Sequence, residues 1–302
     1  MPQLCELFMK LNNEKIIRSA FGGLALASLL FLIGIILILF KEGLPIFRII
    51  NLFEFIGGKA WYPTADPPEF GILPLILGTL WITVGAMLFC IPIGIGSALF
   101  LHEIASFRLR SILKPIIEIL AGIPSIVYGF FGMVIIAPFL QNLLDIPIGQ
   151  CALTASLILG IMAVPTVCSL AEDALSFVPK SFREASFALG ANRWQTLTRV
   201  VIPAAGSGIS TAIILGMSRV VGETMTVLMV AGGAAMIPTS FFDPVRPMTA
   251  TIAAEMGEAS VGGSHYHALF AIGLVLFLIT MAFNIIAELI SCNFRLKLGL
   301  GR

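Results

Sequence analysis

Six long apolar segments dominate this chain of 302 residues. They are Ser19–Phe40, Phe70–Leu101, Pro115–Leu140, Ile146–Leu170, Pro203–Gly233 and Ala268–Ala287. A helix rises about 1.5 Å per residue, so about 20 apolar residues cross the hydrocarbon core of a bilayer. Only 12% of the residues are charged, against about 25% in soluble domains. The sequence therefore predicts an all-α, polytopic membrane protein with six transmembrane helices.

The basic residues of the tails and loops indicate an orientation. One side of the expected bundle collects Lys10, Lys15, Arg18, Arg108, Arg110, Lys114, Lys180, Arg183, Arg193, Arg199, Arg295, Lys297 and Arg302. The other side holds only Lys41, Arg48, Lys59 and Arg246. Positively charged loops stay in the cytoplasm. We therefore expect a multi-pass protein of the bacterial inner membrane with both termini in the cytoplasm, whose first segment lacks a cleavage site and is retained.

The sequence lacks the common signatures of catalysis and cofactor binding. It has no G-x-x-x-x-G-K-[ST] phosphate loop, no nucleophile elbow and no H-E-x-x-H, so we predict no cofactor and no enzymatic activity. The net charge of +1 gives no field that attracts nucleic acid. His265 and His267, with Glu255 and Glu258, are the closest approach to a metal site. We expect them instead to form a loop surface that faces an external binding protein.

The segment between the fourth and fifth runs carries two helix signals. Ser181 and Glu184 have the spacing of a capping box, and Gly190 stands where a helix end favours a left-handed residue. Asn192 and Gln195 repeat the start signal. The expected apolar faces are Phe182, Ala185, Ser186 and Leu189 in the first helix and Trp194, Leu197 and Val201 in the second. Two such short amphipathic helices either lie on the membrane interface or fill a groove on a soluble partner.

This segment resembles the EAA motif of importer-type ABC permeases, with the consensus E-A-A-x3-G-x9-I-x-L-P. Glu184-Ala185-Ser186 is followed after three residues by Gly190, and after nine more by Val200-Val-Ile202-Pro203. Ser186 replaces the second alanine, and Val200 replaces the isoleucine. The resemblance implies a MetI-like fold and a coupling loop at about 179–203. It also implies contact with an ATPase through Glu184, Ala185, Ser186, Gly190 and Pro203.

Three further stretches resemble high-affinity phosphate permeases: Phe70-Gly-Ile-Leu-Pro-Leu-Ile-Leu-Gly-Thr-Leu80, Gly122-Ile-Pro-Ser-Ile-Val-Tyr-Gly-Phe-Phe-Gly132 and Ser218-Arg-Val-Val-Gly-Glu-Thr-Met225. Two more resemble the PstC subunit rather than its sister PstA: Arg246-Pro-Met-Thr-Ala-Thr-Ile-Ala-Ala-Glu-Met-Gly257 and Ser264-His-Tyr-His-Ala-Leu-Phe270. The resemblance implies import of inorganic phosphate with a PstA-like permease, a PstB-like ATPase dimer and a PstS-like phosphate-binding protein. It covers a permease domain at 70–290. Residues 1–69, with the first helix and an external loop, resemble the family only loosely, and residues 291–302 form the expected cytoplasmic tail.

Two charged residues stand inside the fifth apolar run. Arg219 and Glu223 are four residues apart, so a continuous helix would place them on one face. Each charge costs about 2.5–3.5 kcal/mol at the centre of a membrane helix on insertion scales. One interpretation is a mutual salt bridge that stiffens the bundle. The other is that Arg219 meets a passing anion while Glu223 holds the arginine in place, with Thr224, Thr226 and Ser125 as candidates to line the route.

Two other functions remain open from the residues alone. One is a permease of the same architecture for another oxyanion, such as sulfate or molybdate, because one arginine does not distinguish among oxyanions. The other is a transporter driven by an ion gradient, which would need no ATPase and therefore no docking helix. A sensory role could coexist with transport, and it leaves no signature in the sequence.

Overall fold

The protein is a bundle of long helices, seen in a computed structural model that describes the backbone of residues 2–297 and the side chains of residues 17–286, 288 and 289. The last five residues of the expected tail, 298–302, lie outside this range. In chain order the helices are α1 (Pro2–Gly43), α2 (Leu52–Gly57), α3 (Leu73–Leu99), α4 (Phe107–Ala121), α5 (Ser125–Phe131), α6 (Ala137–Leu144), α7 (Ala152–Ser176), α8 (Lys180–Ala188), α9 (Arg193–Thr196), α10 (Ile202–Ala204), α11 (Gly206–Val221), α12 (Met225–Val230), α13 (Met248–Glu255) and α14 (Ser264–Lys297). The expected all-α class is confirmed.

Short irregular elements join these helices. A 3-10 helix covers Leu44–Arg48, and π-helical turns cover Phe100–Ile104, Gly132–Ile136 and Leu197–Val201. The strands β1 (Trp61–Tyr62) and β2 (Glu69–Phe70) pair antiparallel, with Trp61 opposite Phe70. The hairpin belongs to the segment 44–72, which covers one end of the bundle.

Five helical stretches of the described chain are long and apolar enough to cross a membrane. They are Ile17–Arg48, Leu73–Ile104, Ser125–Leu144, Ala152–Ser176 and Ser264–Ile286. A sixth span results if Arg193–Ala204 and Gly206–Val221, which meet at 67°, are counted together. The polytopic prediction therefore holds, with five to six spans.

Two expected spans begin later in the chain than predicted. The third span is Ser125–Leu144 rather than Pro115–Leu140, because α4 ends at Ala121 and Pro124 disfavours helical backbone at the residue before it. The fourth span begins at Ala152 rather than at Ile146. Pro147 and Gly149 lie in a loop before it, and both residue types disfavour helix.

The fifth run does not form the single helix that the sequence predicted. It bends by 67° between Ala204 and Gly206 and breaks again after Val221. Pro203 lies before the bend, so it does not begin the span. Gly222 ends α11, consistent with the high conformational freedom that glycine loses in a helix. Two of the six apolar runs therefore contain helix breaks near the middle of the bundle.

The centre of the bundle is the contact between α3 and α7. α7 is the most buried span, with 61% of its most apolar window inside the protein, whereas none of the corresponding window of α1 is buried. Small residues bring the two central backbones together: a Cβ atom at Gly160 would lie 3.1 Å from the carbonyl oxygen of Ala86. α1 packs beside α14 and turns its other side outward, as expected for a surface that faces lipid.

The two ends of the bundle differ in charge. One end, here called the basic end, is formed by residues 100–114 and 177–204 and carries most of the described loop cations. The other, here called the opposite end, is formed by residues 44–72 and 231–263. The distribution follows the charge asymmetry of the loops.

Candidate functional site

Two helix breaks lie side by side inside the bundle. One separates α4 from α5 at residues 122–124, and the other separates α11 from α12 at residues 222–224. The Thr226 hydroxyl donates a 2.9 Å hydrogen bond to the backbone carbonyl of Ser125 and so connects the two breaks. Gly129 permits this approach, since a Cβ atom there would lie 3.1 Å from the Cα of Thr226.

Arg219 lies in the last turn of α11 and reaches toward the other break. Its Nη2 donates to the carbonyl oxygen of Ala121 at 3.3 Å, and its Nη1 donates to the Thr166 hydroxyl at 3.4 Å. Among the described side chains, no carboxylate lies within salt-bridge distance of this guanidinium. Arg219 is therefore a half-buried cation with neutral partners at long hydrogen-bond distances.

Glu223 does not share a helix face with Arg219, contrary to the sequence prediction. α11 ends at Val221, so Glu223 lies within the break. Its Oε1 accepts from the backbone N–H of Thr226 at 3.3 Å and lies 3.4 Å from the Thr226 hydroxyl oxygen, whose hydrogen is donated to Ser125. The carboxylate thus satisfies the start of α12 instead of pairing with the arginine, and the mutual salt bridge is not formed.

The other candidate residues of the pathway contribute in different ways. Ser125 takes part through its backbone carbonyl. The Thr224 hydroxyl donates only a long 3.4 Å hydrogen bond to the carbonyl of Gly222. Thr249 holds the break from α13 by donating to the carbonyl oxygen of Glu223 at 2.7 Å. The structure thus gathers Arg219, Glu223, Thr224 and Ser125 around the two breaks.

The loop 179–203 contains the two expected short helices, but the first begins differently. Its N-cap is Pro179, and no side chain caps it, so Ser181 is not the capping residue. A proline fixes its own φ near the helical value, and here the turn starts before Ser181 is reached. Gly190 has a φ of +80°, as predicted for a left-handed end. The predicted start at Asn192 is confirmed, with reciprocal bonds to Gln195 of 2.8 and 3.0 Å.

The side chains of this loop divide between the bundle and the outside. Ser186 is buried and hydrogen-bonds to Thr196 at 2.9 Å, whereas Leu189 is 90% exposed and Trp194 70% exposed. The expected stripe through Trp194 therefore does not form, because Leu197 and Val201 turn inward while the indole turns outward. Exposed apolar groups are Phe182, Phe187, Leu189 and Trp194. Glu184 and Ala185 are also exposed.

The residues that suggested a metal site serve a different purpose. His265 and His267 lie in the first turn of α14, not on a loop. Glu255 accepts from Trp61 at 3.0 Å, from Arg246 at 2.6 Å and contacts His265 at 2.9 Å. No metal-ligand group of three or more occurs among the described residues. The cluster ties the hairpin of residues 61–70 to α13 and α14.

The sequence analysis missed one buried acid. Glu172 on α7 is 1% exposed and accepts from Arg110 and from Lys114, whose Nζ lies 2.7 Å away. Lys114 also pairs with Asp173 at 2.9 Å. The hydrogen bond to Glu172, followed by that to Asp173, raises the pKa of Lys114 above its ordinary value. The available signal was the spacing of Arg110 and Lys114, four residues apart, which the loop-charge count did not use.

Comparison with known proteins identifies the architecture. The profile of the family described as "Binding-protein-dependent transport system inner membrane component" matches residues 90–295. The chain belongs to this permease family. A "Probable ABC transporter permease protein YqgH" of Bacillus subtilis is 37% identical over 261 residues, which are 86% of this chain and 84% of that protein.

The predicted resemblance to PstC permeases is also confirmed. A "Phosphate transport system permease protein PstC" of Mesorhizobium japonicum is 37% identical over 255 residues, covering 78% of this permease and 77% of that one. Among solved structures, the MetNI methionine ABC transporter in an inward-facing conformation matches with a TM-score of 0.59 at 20% identity, over 74% of this chain and 95% of that one. A bacterial alginate ABC transporter matches with a TM-score of 0.61 at 15% identity, over 89% and 93%. These two likenesses concern the fold.

The bond that joins the breaks is testable through stability. Thr226→Val keeps the shape of the side chain but removes the hydroxyl donor from the partly buried Ser125 carbonyl, which should cost about 1 kcal/mol. We expect a lower Tm of the purified permease in detergent. Thr211→Val is the matched control in the same region, because the exposed Thr211 hydroxyl bonds only to the Ser207 carbonyl of its own helix. Equal Tm values for the two variants would contradict a stabilising hydrogen bond between the two breaks.

Proposed function

We propose that this chain is a transmembrane permease subunit of an ATP-driven importer for inorganic phosphate. The observation that carries the proposal is the Arg219 guanidinium, which lies at two facing helix breaks with no carboxylate partner among the described side chains. Permeases named for phosphate transport among its relatives point to the same substrate.

The chemistry of Arg219 suits an oxyanion. A guanidinium presents a planar fork of donors that matches two oxygens of a phosphate, and charge-assisted bonds of this kind are about twice as strong as neutral ones. Discontinuous helices near the midplane are a recurring way to build substrate sites in transporters. In this proposal Glu223 shapes the break, and Thr224 and Ser125 line the route.

The partners follow from the surfaces of the two ends. A PstA-like permease forms the other half of the pathway, and a PstB-like ATPase dimer docks on the exposed apolar groups of the loop 179–203. A PstS-like phosphate-binding protein delivers substrate at the opposite end. ATP is hydrolysed on the ATPase partner, so this chain acts as a transport subunit and not as an enzyme.

The orientation follows from the charge of the ends. Positive loops stay in the cytoplasm, so the basic end and both termini are cytoplasmic in a bacterial inner membrane. Docking of the ATPase on the basic end requires the same orientation, because ATP is available in the cytoplasm.

Cysteine labelling checks the orientation. In a variant whose native cysteines are replaced by alanine, Ser240→Cys should react with an impermeant maleimide in intact cells. Ser181→Cys should react only after the membrane is opened. The reverse pattern would contradict the proposed orientation.

Substitution of Arg219 tests the role in transport. Arg219→Gln should reduce ATP-dependent uptake of labelled phosphate to background while the complex still assembles. Arg219→Lys should lose at least about tenfold, since losing a charge-assisted hydrogen bond costs about 1.5–3 kcal/mol. Uptake is measured with the complete transporter in proteoliposomes.

Two further variants separate substrate contact from a structural role. Arg48→Gln, at an exposed position of the opposite end, should transport normally. The exchanged pair Arg219→Glu with Glu223→Arg should stay inactive, because it moves the guanidinium into the break. Substantial uptake by the exchanged pair would show that Arg219 has a structural role and does not contact the substrate.

Gly190 tests coupling to the ATPase. No atom outside its own neighbourhood lies within 4 Å of a Cβ placed there, so only the φ of +80° restricts the residue. Gly190→Val should abolish uptake while leaving insertion intact, because a left-handed backbone costs an ordinary L-residue about 1–2 kcal/mol. Gly190→Asn should retain most uptake, since asparagine tolerates this conformation. Normal uptake by the valine variant would contradict the assignment.

The alternative functions are distinguished in the same vesicles. Competition by sulfate or molybdate as strong as that by phosphate would indicate another oxyanion. Uptake that needs an ion gradient and survives without ATP would indicate a gradient-driven transporter.

A further inference from the structure

A chain of polar contacts leads from the loop 179–203 into the bundle. Arg183 lies on α8, and its Nη1 is 2.8 Å from Glu103 Oε1. Its Nη2 is 3.0 Å from His102 Nε2. His102 and Glu103 belong to the π-helical turn that ends α3. The first short helix of the loop is thus tied to the end of a membrane span.

The same histidine reaches the buried acid. His102 Nδ1 lies 3.6 Å from Glu172 Oε1, and Glu172 in turn holds Arg110 and Lys114 of α4. Two cations of α4 and the imidazole of His102 from the π-helical turn therefore surround one carboxylate on α7. Arg183, His102, Glu172 and α4 thus follow one another, and the step from His102 to Glu172, at 3.6 Å, is longer than a hydrogen bond.

α4 connects this cluster to Arg219. None of its residues is fully buried. Apart from the ion pairs, the half-buried Leu113 and Ile117 pack on the bundle, and the Leu120 carbonyl accepts from the Tyr128 hydroxyl at 3.0 Å. The last carbonyl of α4, that of Ala121, accepts from Arg219. The C-terminus of a helix carries partial negative charge, which favours a cation there. The ionic cluster near one end of α4 and the substrate arginine at the other are joined by a single helix.

We propose that Glu172 is a positioning residue that couples the loop 179–203 to Arg219 through α4. The carboxylate holds α4 where the Ala121 carbonyl retains the guanidinium. Movement of α8, passed through Arg183 and His102, shifts α4 and frees Arg219 for the anion. The inference rests on the proposed function, because it assumes that ATP drives the loop and that Arg219 meets the substrate.

The charge balance explains why this acid would control α4. A charge taken out of water needs a close partner, and removal of one partner leaves the others uncompensated. Glu172 is the nearly inaccessible member of the cluster, whereas Asp173 is 48% exposed and contacts only Lys114. The position of α4 therefore depends on Glu172 much more than on its neighbour.

The test measures coupling, not activity alone. With the complete transporter in proteoliposomes, Glu172→Gln should raise the number of ATP molecules hydrolysed per phosphate imported by about tenfold, a usual size for a coupling between sites. Glu172→Asp keeps the charge and should recover most of the wild-type ratio. Asp173→Asn is the matched control and should show the wild-type ratio. A role in folding alone would lower the amount of complex and leave the ratio unchanged.

A distance measurement gives a second readout. Spin labels on cysteines at the exposed positions Ile119 of α4 and Leu215 of α11, in the background without native cysteines, should change separation when the wild-type complex is trapped with ADP and vanadate. The change should be lost in Glu172→Gln. The change should also be lost in Arg183→Gln. This second variant provides the test if Glu172→Gln does not assemble.

The outcomes separate this inference from the proposed function. A wild-type ATP-to-phosphate ratio in Glu172→Gln overturns the positioning role, as does a preserved label movement in Arg183→Gln. Absence of ATP-dependent phosphate uptake by the wild-type complex would instead overturn the proposed function.

Discussion

A helix that breaks inside a membrane must find hydrogen-bond partners within the protein, because hydrocarbon supplies none. This permease meets that requirement by placing two breaks against each other. Arg219 from one break donates to the Ala121 carbonyl at the other, and Thr226 donates to the Ser125 carbonyl. Glu223 accepts from the start of α12. The positions of α4, α5, α11 and α12 follow from these contacts, and so does the position of the candidate site.

The same requirement explains why the site and the buried acid are connected. A broken helix has two segments that can move separately, and α4 is the segment on the basic side of its break. Its own residues provide little buried surface, so ion pairs to Glu172 take a large share in holding it. A helix held by a few strong contacts at defined points transmits displacement between them. A helix buried along its whole length would resist such a displacement, because packed interiors are dense.

Local chemistry predicted part of this structure well. The apolar runs located α1, α3 and α14, and side-chain capping located the turn at Asn192 and the left-handed Gly190. Hydropathy failed at the breaks because the apolar runs continue on both sides of Gly122 and Gly222. Contacts such as that of Trp61 with Glu255, 194 residues apart, leave no pattern in one sequence. The pairing of Arg219 with Glu223 was wrong for a related reason, since helical spacing applies only if the helix continues.

The long contacts of Arg219 suit a residue that must change partners. Its bonds to Ala121 and Thr166 span 3.3 and 3.4 Å, and a neutral hydrogen bond of ordinary length is worth only about 0.5–1.5 kcal/mol net. A phosphate oxygen pair would offer charge-assisted bonds of about 1.5–3 kcal/mol each. Under the proposed function, the exchange would therefore favour the anion once α4 moves, because the guanidinium is already half desolvated and gives up only weak contacts. An opposing carboxylate at salt-bridge distance would have reversed this balance, which gives the placement of Glu223 in the adjacent break a physical reason.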